Sequence, residues 1–349
     1  MTKGNILRFR VGLARRAWVA SRVSWTWLSL AAVFGVVLWQ ATEQFVRTAP
    51  HPQVTLLLNA SRTAQAAQQE IARAKEQMGL LQPPHVDPNR TGLIGPDWSE
   101  ITTTLGDLPA KRTVTNPDLS AALARVLFAL GAPRGAAVAL VLSGSFVGAN
   151  VAAIAAVEAA GLRPVIVTSL GASMYGATDP AFTWLDMETT VRQAGIWQAR
   201  SIAVVLGGEG TSAGGLDRGG RDMLQAAAGR NGHEPISAPG FDEVKQRVQA
   251  ELAKAVPNGL VALVNSGGSV LAMGTCLDAY RLPTGVLRGP LPCRSGTPGL
   301  IHDFAGRGLP VVHLLNIKRL ALDWGLPFDP IPLPAIGENP RIVSRLSFP

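Results

Sequence analysis

The sequence predicts an α/β fold in layers, with a mostly parallel sheet and Gly/Ser-rich strand-to-helix turns, and three observations lead there. Continuous apolar runs of five to seven residues recur from residue 136 onward, and such runs suit parallel strands buried on both faces. Four of the five runs end in turns made of Gly, Ser and Asn. Helical segments lie between the runs, and strand–helix alternation builds a parallel sheet.

The elements follow in order. Residues 1–22 hold Lys3, Arg8, Arg10, Arg15, Arg16 and Arg22 and no acid, so this tail carries six of the +8 formal charges; the other 327 residues balance to +2. A nucleic-acid binder needs its basic charge on the face that meets phosphates, so no nucleic-acid partner is expected. With 47% apolar and 16% charged residues, the chain is neither disordered nor a coiled coil.

An uncharged run, VSWTWLSLAAVFGVVLWQAT, covers residues 23–42. As a helix rising ~1.5 Å per residue it reaches ~30 Å, the thickness of a bilayer's hydrocarbon core. Trp25 and Trp27 near one end and Trp39 near the other suit the interfaces, and the basic tail holds the N-terminus in the cytoplasm. The run exceeds the ~7–15 residues of a cleaved signal, and no small-x-small site follows it. A single-pass signal-anchor helix over 23–43 is expected, with the main domain extracytoplasmic. Cys276 and Cys293, the only cysteines, then lie in an oxidising compartment; a disulfide and two free thiols are both open.

Residues 53–79 keep helical spacing in Leu57, Ala60, Ala64, Ala67, Ile71, Ala74 and Met78, and Gly79 and Pro83-Pro84 end the helix. It serves as a stalk, with 44–90 read as stalk and linker, or packs on the main domain. That α/β domain is assigned to 91–326. Its strands are expected at 136–142, 164–168, 201–206, 260–264 and 309–314, and its helices near 117–130, 147–160, 184–194, 217–230, 240–255, 268–279 and 316–324. The Pro-rich residues 327–349 read as an extended tail over the surface.

The turns after the first four strands are Ser143-Gly144-Ser145, 169–173 (SLGAS), 207–210 (GGEG) and 265–269 (NSGGS). Small residues let backbone N–H groups face a ligand, helix starts favour anions, and strand C-terminal ends form the ligand face of such sheets. Ligand-binding candidates are therefore Gly144, Gly171, Ser173, Gly207, Gly208, Asn265, Gly267 and Gly268. Residues 208–213 match G-x-G-x-x-A, but Glu209 would repel a pyrophosphate. No cofactor is expected. The five histidines show no metal-ligand spacing, so no metal is expected either.

Ser143 and Ser145 leave a strand for a helix, the position of an esterase nucleophile, although L-S-G-S-F is not G-x-S-x-G. With His302-Asp303 downstream, a Ser–His–Asp triad is one alternative. Asp186 and Glu188, two apart on a helix, point different ways and read as capping its first turn. The hydroxyl-rich stretch 91–113 reads as a loop across the Gly/Ser turns. Its Thr103, Thr104, Lys111 and Arg112 are candidates for holding a carboxylate, against a solvated Lys-Arg pair.

TGLIGPDWSEITTTLGDLPAKRTVTNP (91–117), SGSF (143–146), SLGASMYGATDPAFTWLDME (169–188) and LGGEG (206–210) together resemble the poly-γ-glutamate system protein family. The resemblance implies a membrane-anchored accessory component of poly-γ-glutamate synthesis or export, partnered by the synthetase's membrane components, the polymer and the membrane. The polymer carries a free α-carboxylate on each residue, which suits hydroxyl-rich turns and helix starts. The alternative is a serine-dependent hydrolase or transferase that trims, releases or attaches the polymer through Ser143 or Ser145.

Overall fold

The computed structural model describes residues 24–45 and 47–347. The chain divides into two compact units, one of residues 1–49 with 346–349 and one of residues 50–345. In the first, α1 (Trp25–Phe45) is followed by β1 (Arg47–Pro50), and the side chains of residues 24–40 are exposed. Among the described residues no helix is long and apolar enough to cross a membrane. The basic tail 1–22, Val23 and the side chains of 41–48 lie outside the description, so the expected 23–43 span falls inside it as backbone from residue 24 and as side chains over 24–40.

The second unit opens with α2 (Val54–Met78), which buries Leu57, Ala60, Ala64, Ala67 and Ile71 of the stripe its spacing predicts, while Ala74 is half-buried and Met78, at the helix end, is exposed. Of the two roles open to this helix, the structure shows packing on the α/β domain, not a free stalk. A face of Ala and aliphatic residues fits closely into the larger core with α4 (Asp118–Ala129) and α5 (Val147–Ala159). Ser61 Oγ also donates to Asp118 Oδ1 at 2.7 Å, and the buried Lys75 Nζ donates to the Ile94 carbonyl at 3.1 Å. Between α2 and α4 come β2 (Thr102–Thr104) and α3 (Leu108–Thr113). Residues 91–113 are thus part strand and part helix where a loop is expected.

The sheet then forms from β3 (Ala137–Ser143), β4 (Arg163–Ser169), β6 (Ser201–Val205), β9 (Ala262–Ser266), β10 (Gly285–Leu287) and β11 (Val311–Leu314). Its order is β10-β11-β9-β3-β4-β6, parallel except for the antiparallel edge strand β10. The all-apolar run of β3 occupies an inner position and is wholly buried, as a strand covered on both faces requires. Even-numbered residues of β3 meet the core containing α5, while Ala137, Ala139 and Val141 meet a second core containing α8 (Phe241–Ala255) and α10 (Leu300–Gly306). The chain steps outward from β3 through β4 to β6, then crosses to β9 on the other side of β3. The order reverses between β3 and β9, and a crevice opens at such a point beyond the strand C-termini.

The remaining elements are β5 (Ala172–Ser173), α6 (Trp184–Gln193), β7 (Gly207–Gly208), β8 (Ser212–Gly214), α7 (Arg218–Arg230), α9 (Val270–Met273), α11 (Ile317–Trp324), α12 (Pro340–Val343) and β12 (Ser344–Ser347). The helix expected over 268–279 is broken. Gly274 takes φ +70°, and a Cβ there would run into the Thr297 carbonyl, so α9 stops and a 3₁₀ turn follows at Leu277–Arg281. Cys276 and Cys293 are joined in a disulfide with Cα atoms 5.2 Å apart, which resolves the alternative that the spacing leaves open. The Pro-rich tail lies over the domain, tied by Asn89 Nδ2 donating to the Pro330 carbonyl (2.9 Å) and by Gly337 N–H donating to Asp118 Oδ2 (3.0 Å). It continues into α12, whose Ile342 is buried, and β12 follows.

Candidate functional site

The strand-end turns are shaped by their glycines. A Cβ on Gly267, at φ +94°, would strike Ser143 Oγ, so glycine lets the turn after β9 close onto the end of β3. Gly207, at φ +80°, lies so near the Gly171 amide that a Cβ would come within 2.8 Å of it. The β2 strand crosses this surface and pairs in parallel with β5. Thr103 Oγ1 donates to the Ala172 carbonyl at 3.0 Å, and Met174 N–H donates to the Thr104 carbonyl at 3.0 Å.

Together these turns enclose a crevice of about 470 Å³, whose walls include Thr103, Thr104, Ser143, Ser145, Gly171, Ser173, Gly208 and Gly268. Eight of the residues singled out from the sequence thus meet in one place. Ser169, Glu209 and Ser269 from the same turns also line it, with Phe146 at the start of α5. Leu105, 82% exposed, and Tyr280, 60% exposed, add apolar surface that no pattern in the sequence marks as a site.

The other six candidates hold other positions, Gly267 closing the turn after β9 onto Ser143. Gly144 and Gly207 shape the turns from behind. Asn265 is fully buried, and its Nδ2 donates to the Gly267 carbonyl (2.8 Å) and meets His313 Nδ1 at 3.0 Å, so it braces the turn beneath the crevice. Its Oδ1 and His313 Nε2 have no hydrogen-bond partner among the described residues. Burial holds the His313 imidazole down to about pKa 4, with His302 adding to the effect, so it is neutral. Arg112 points elsewhere: its Nε and Nη2 grip Asp329 Oδ1 and Oδ2 at 2.6 and 2.5 Å, a bidentate pair that fastens the C-terminal tail to α3.

Lys111 faces inward from the same helix turn. The Asp107 carboxylate caps α3 by accepting from the Ala110 N–H at 2.8 Å, and Pro109 sits in the first turn. This cap and proline are the sequence signal for α3. They set the helix so that Lys111, 2% exposed, runs under Ser145 and Ser173. Its Nζ meets Ser173 Oγ at 2.7 Å, Ser173 O at 3.3 Å and the Ser145 carbonyl at close range. The Phe146 ring centroid lies 5.0 Å away. Burial pulls the ammonium down to about pKa 7, with Asp107 pulling the other way. Presentation of Lys111 and Arg112 together to one carboxylate is therefore corrected: one supports the crevice wall from behind and the other is bound to Asp329.

The triad alternative is also corrected. Ser143, 1% exposed, donates from Oγ to the Ser266 carbonyl at 2.9 Å, joining β3 to β9. His302 accepts from the Gly299 N–H at Nδ1 and meets the Pro292 carbonyl at Nε2, both at 3.3 Å. Asp303 accepts from Gln249 (2.7 Å) and pairs with Lys245 (3.3 Å). Each member is held by other neighbours. Asp186 and Glu188 do point apart. Asp186 accepts from Thr183 N–H and Oγ1, both at 2.7 Å, at the start of α6. Glu188 is buried, accepts from Ser201 N–H and Oγ, both at 2.8 Å, and is raised to about pKa 7 by burial.

No protein-family model, curated protein or solved structure matches the chain.

Proposed function

We propose that this protein is a membrane-anchored, extracytoplasmic accessory component of poly-γ-glutamate synthesis or export, and that its crevice binds the emerging polymer. One observation carries the reading. Four segments that resemble the poly-γ-glutamate system proteins, 91–117, 143–146, 169–188 and 206–210, are separated in sequence, yet each contributes residues to one crevice or, through Lys111, to its wall. The lining suits a chain of amides and carboxylates: hydroxyls of Thr103, Thr104, Ser145, Ser169, Ser173 and Ser269 offer hydrogen bonds, and the N-terminus of the 13-residue α5 favours negative charge. Glu209 disfavours a carboxylate beside it and so restricts where along the crevice the polymer's carboxylates settle.

The uncharged run 23–42 and the basic tail before it in the sequence support the anchor, and the Cys276–Cys293 disulfide is chemistry of an oxidising compartment. In this reading the synthetase's membrane components are protein partners reached through the anchor. The test is binding of the full-length chain, purified in detergent, to oligo-γ-glutamate and to oligo-α-glutamate of equal length. Preference for the γ-linked chain is expected, and equal or absent binding would overturn recognition of the polymer. Co-purification of the synthetase's membrane components, lost on deletion of residues 23–43, tests the partnership.

A further inference from the structure

The hydroxyl at the crevice wall with an unusual partner is that of Ser173, not of Ser143 or Ser145. Ser143 Oγ is committed to the Ser266 carbonyl, and Ser145 Oγ accepts from the Ser173 N–H at 3.1 Å. Ser173 Oγ lies 2.7 Å from Lys111 Nζ, whose other partners are the carbonyls of Ser145 and Ser173. Two carbonyls can only accept, so they take two N–H bonds. A hydroxyl can accept or donate. A neutral amine would therefore give its two N–H groups to the carbonyls and turn its lone pair to the Ser173 O–H, with every group satisfied.

We propose that Ser173 and Lys111 are a nucleophile and general base, making the crevice an acyl-transfer site for an amide or ester carbonyl. A serine activated by an adjacent amine is a known solution to acyl chemistry on unrelated folds. Burial keeps the amine available near neutral pH. Ser173 Oγ attacks the acyl carbon while its proton passes to Lys111 Nζ. The tetrahedral adduct then collapses, and Nζ returns that proton to the departing nitrogen or oxygen. This leaves an ester on Ser173 and a free amine or alcohol. Water, or an acceptor amine, next attacks the ester, loses its proton to Nζ, and releases the acyl group as an acid or a new amide. Nζ finally reprotonates Ser173. Phe146, whose ring centroid lies 5.0 Å from Lys111 Nζ, stands in the wall beside the pair. The dyad rests on its own geometry; only the choice of a γ-glutamyl chain as substrate rests on the proposed function.

The full-length chain in detergent is given two probes, a fluorophosphonate and poly-γ-glutamate of defined length. The phosphonyl adduct is expected on Ser173 by peptide mass spectrometry, and the polymer is expected to shorten. Ser173→Ala should lose both the adduct and the shortening. Lys111→Met and Lys111→Arg should lower both rates by at least about a hundredfold, the scale of a general base, with thermal unfolding confirming that the variants fold. Polymer that binds but keeps its length, with no adduct on Ser173, would overturn the dyad and leave the binding reading standing. An adduct on Ser173 without polymer binding would leave the dyad and overturn the substrate. Shortening that survives Ser173→Ala would also overturn the dyad.

Discussion

Replacing Lys111 by Met should change how stability depends on pH. The folded state holds this amine at about pKa 7, against 10.5 for the unperturbed side chain. The folded value lies below the unfolded one, so between pH 7 and 10.5 the unfolded chain carries a proton that the folded chain lacks. Raising pH across that window therefore stabilises the fold, by about 1.4 kcal/mol per pH unit. Below pH 7 both states are protonated, and the cost of a buried ammonium is fully present. Lys111→Met removes this dependence while keeping most of the buried stem. The wild-type stability minus that of the variant should be flat below pH 7 and grow by roughly 2–3 kcal/mol by pH 9. Urea unfolding of both chains from pH 6 to 9.5 measures it, and subtraction cancels Glu188 and every other shared group. A difference that stays constant across that range would show that Lys111 is fully protonated in the fold, and would refute both the linkage and the free amine that base catalysis at Ser173 needs.

Three further perturbations have definite outcomes. Gly267→Ala puts a Cβ against Ser143 Oγ at φ +94°, and should cost at least about 1–3 kcal/mol in denaturant unfolding; an unchanged midpoint would contradict the turn geometry. Arg112→Ala breaks the bidentate pair with Asp329, whose partners are 15% and 20% exposed. It should lower stability by about 1–3 kcal/mol and leave oligo-γ-glutamate binding intact; loss of binding without loss of stability would return Arg112 to the site. Reducing Cys276–Cys293, 17 residues apart, should lower the unfolding free energy by about 3 kcal/mol on the loop-entropy model, and identical unfolding with and without reductant would argue against the bond.

What the sequence determined by itself was set by local pattern. The five apolar runs became the five parallel strands of the sheet, because an uninterrupted run of Val, Ile, Leu and Ala has no face to give to water. The Ala stripe of α2 likewise shows which side is buried. The turns declare small residues at the strand ends, but not that four of them meet. That depended on strand order, which brings β9 beside β3 across 123 residues and lets Gly267 close on Ser143. Tertiary structure also separated Lys111 from Arg112. Adjacent residues on one helix point about 100° apart, so one runs under Ser173 and the other reaches Asp329, 217 residues away. Spacing in sequence says nothing about which partner waits on each side of α3. The parallel pairing of β2 with β5 decided that, by placing Thr104 beside Ser173 just before α3 begins.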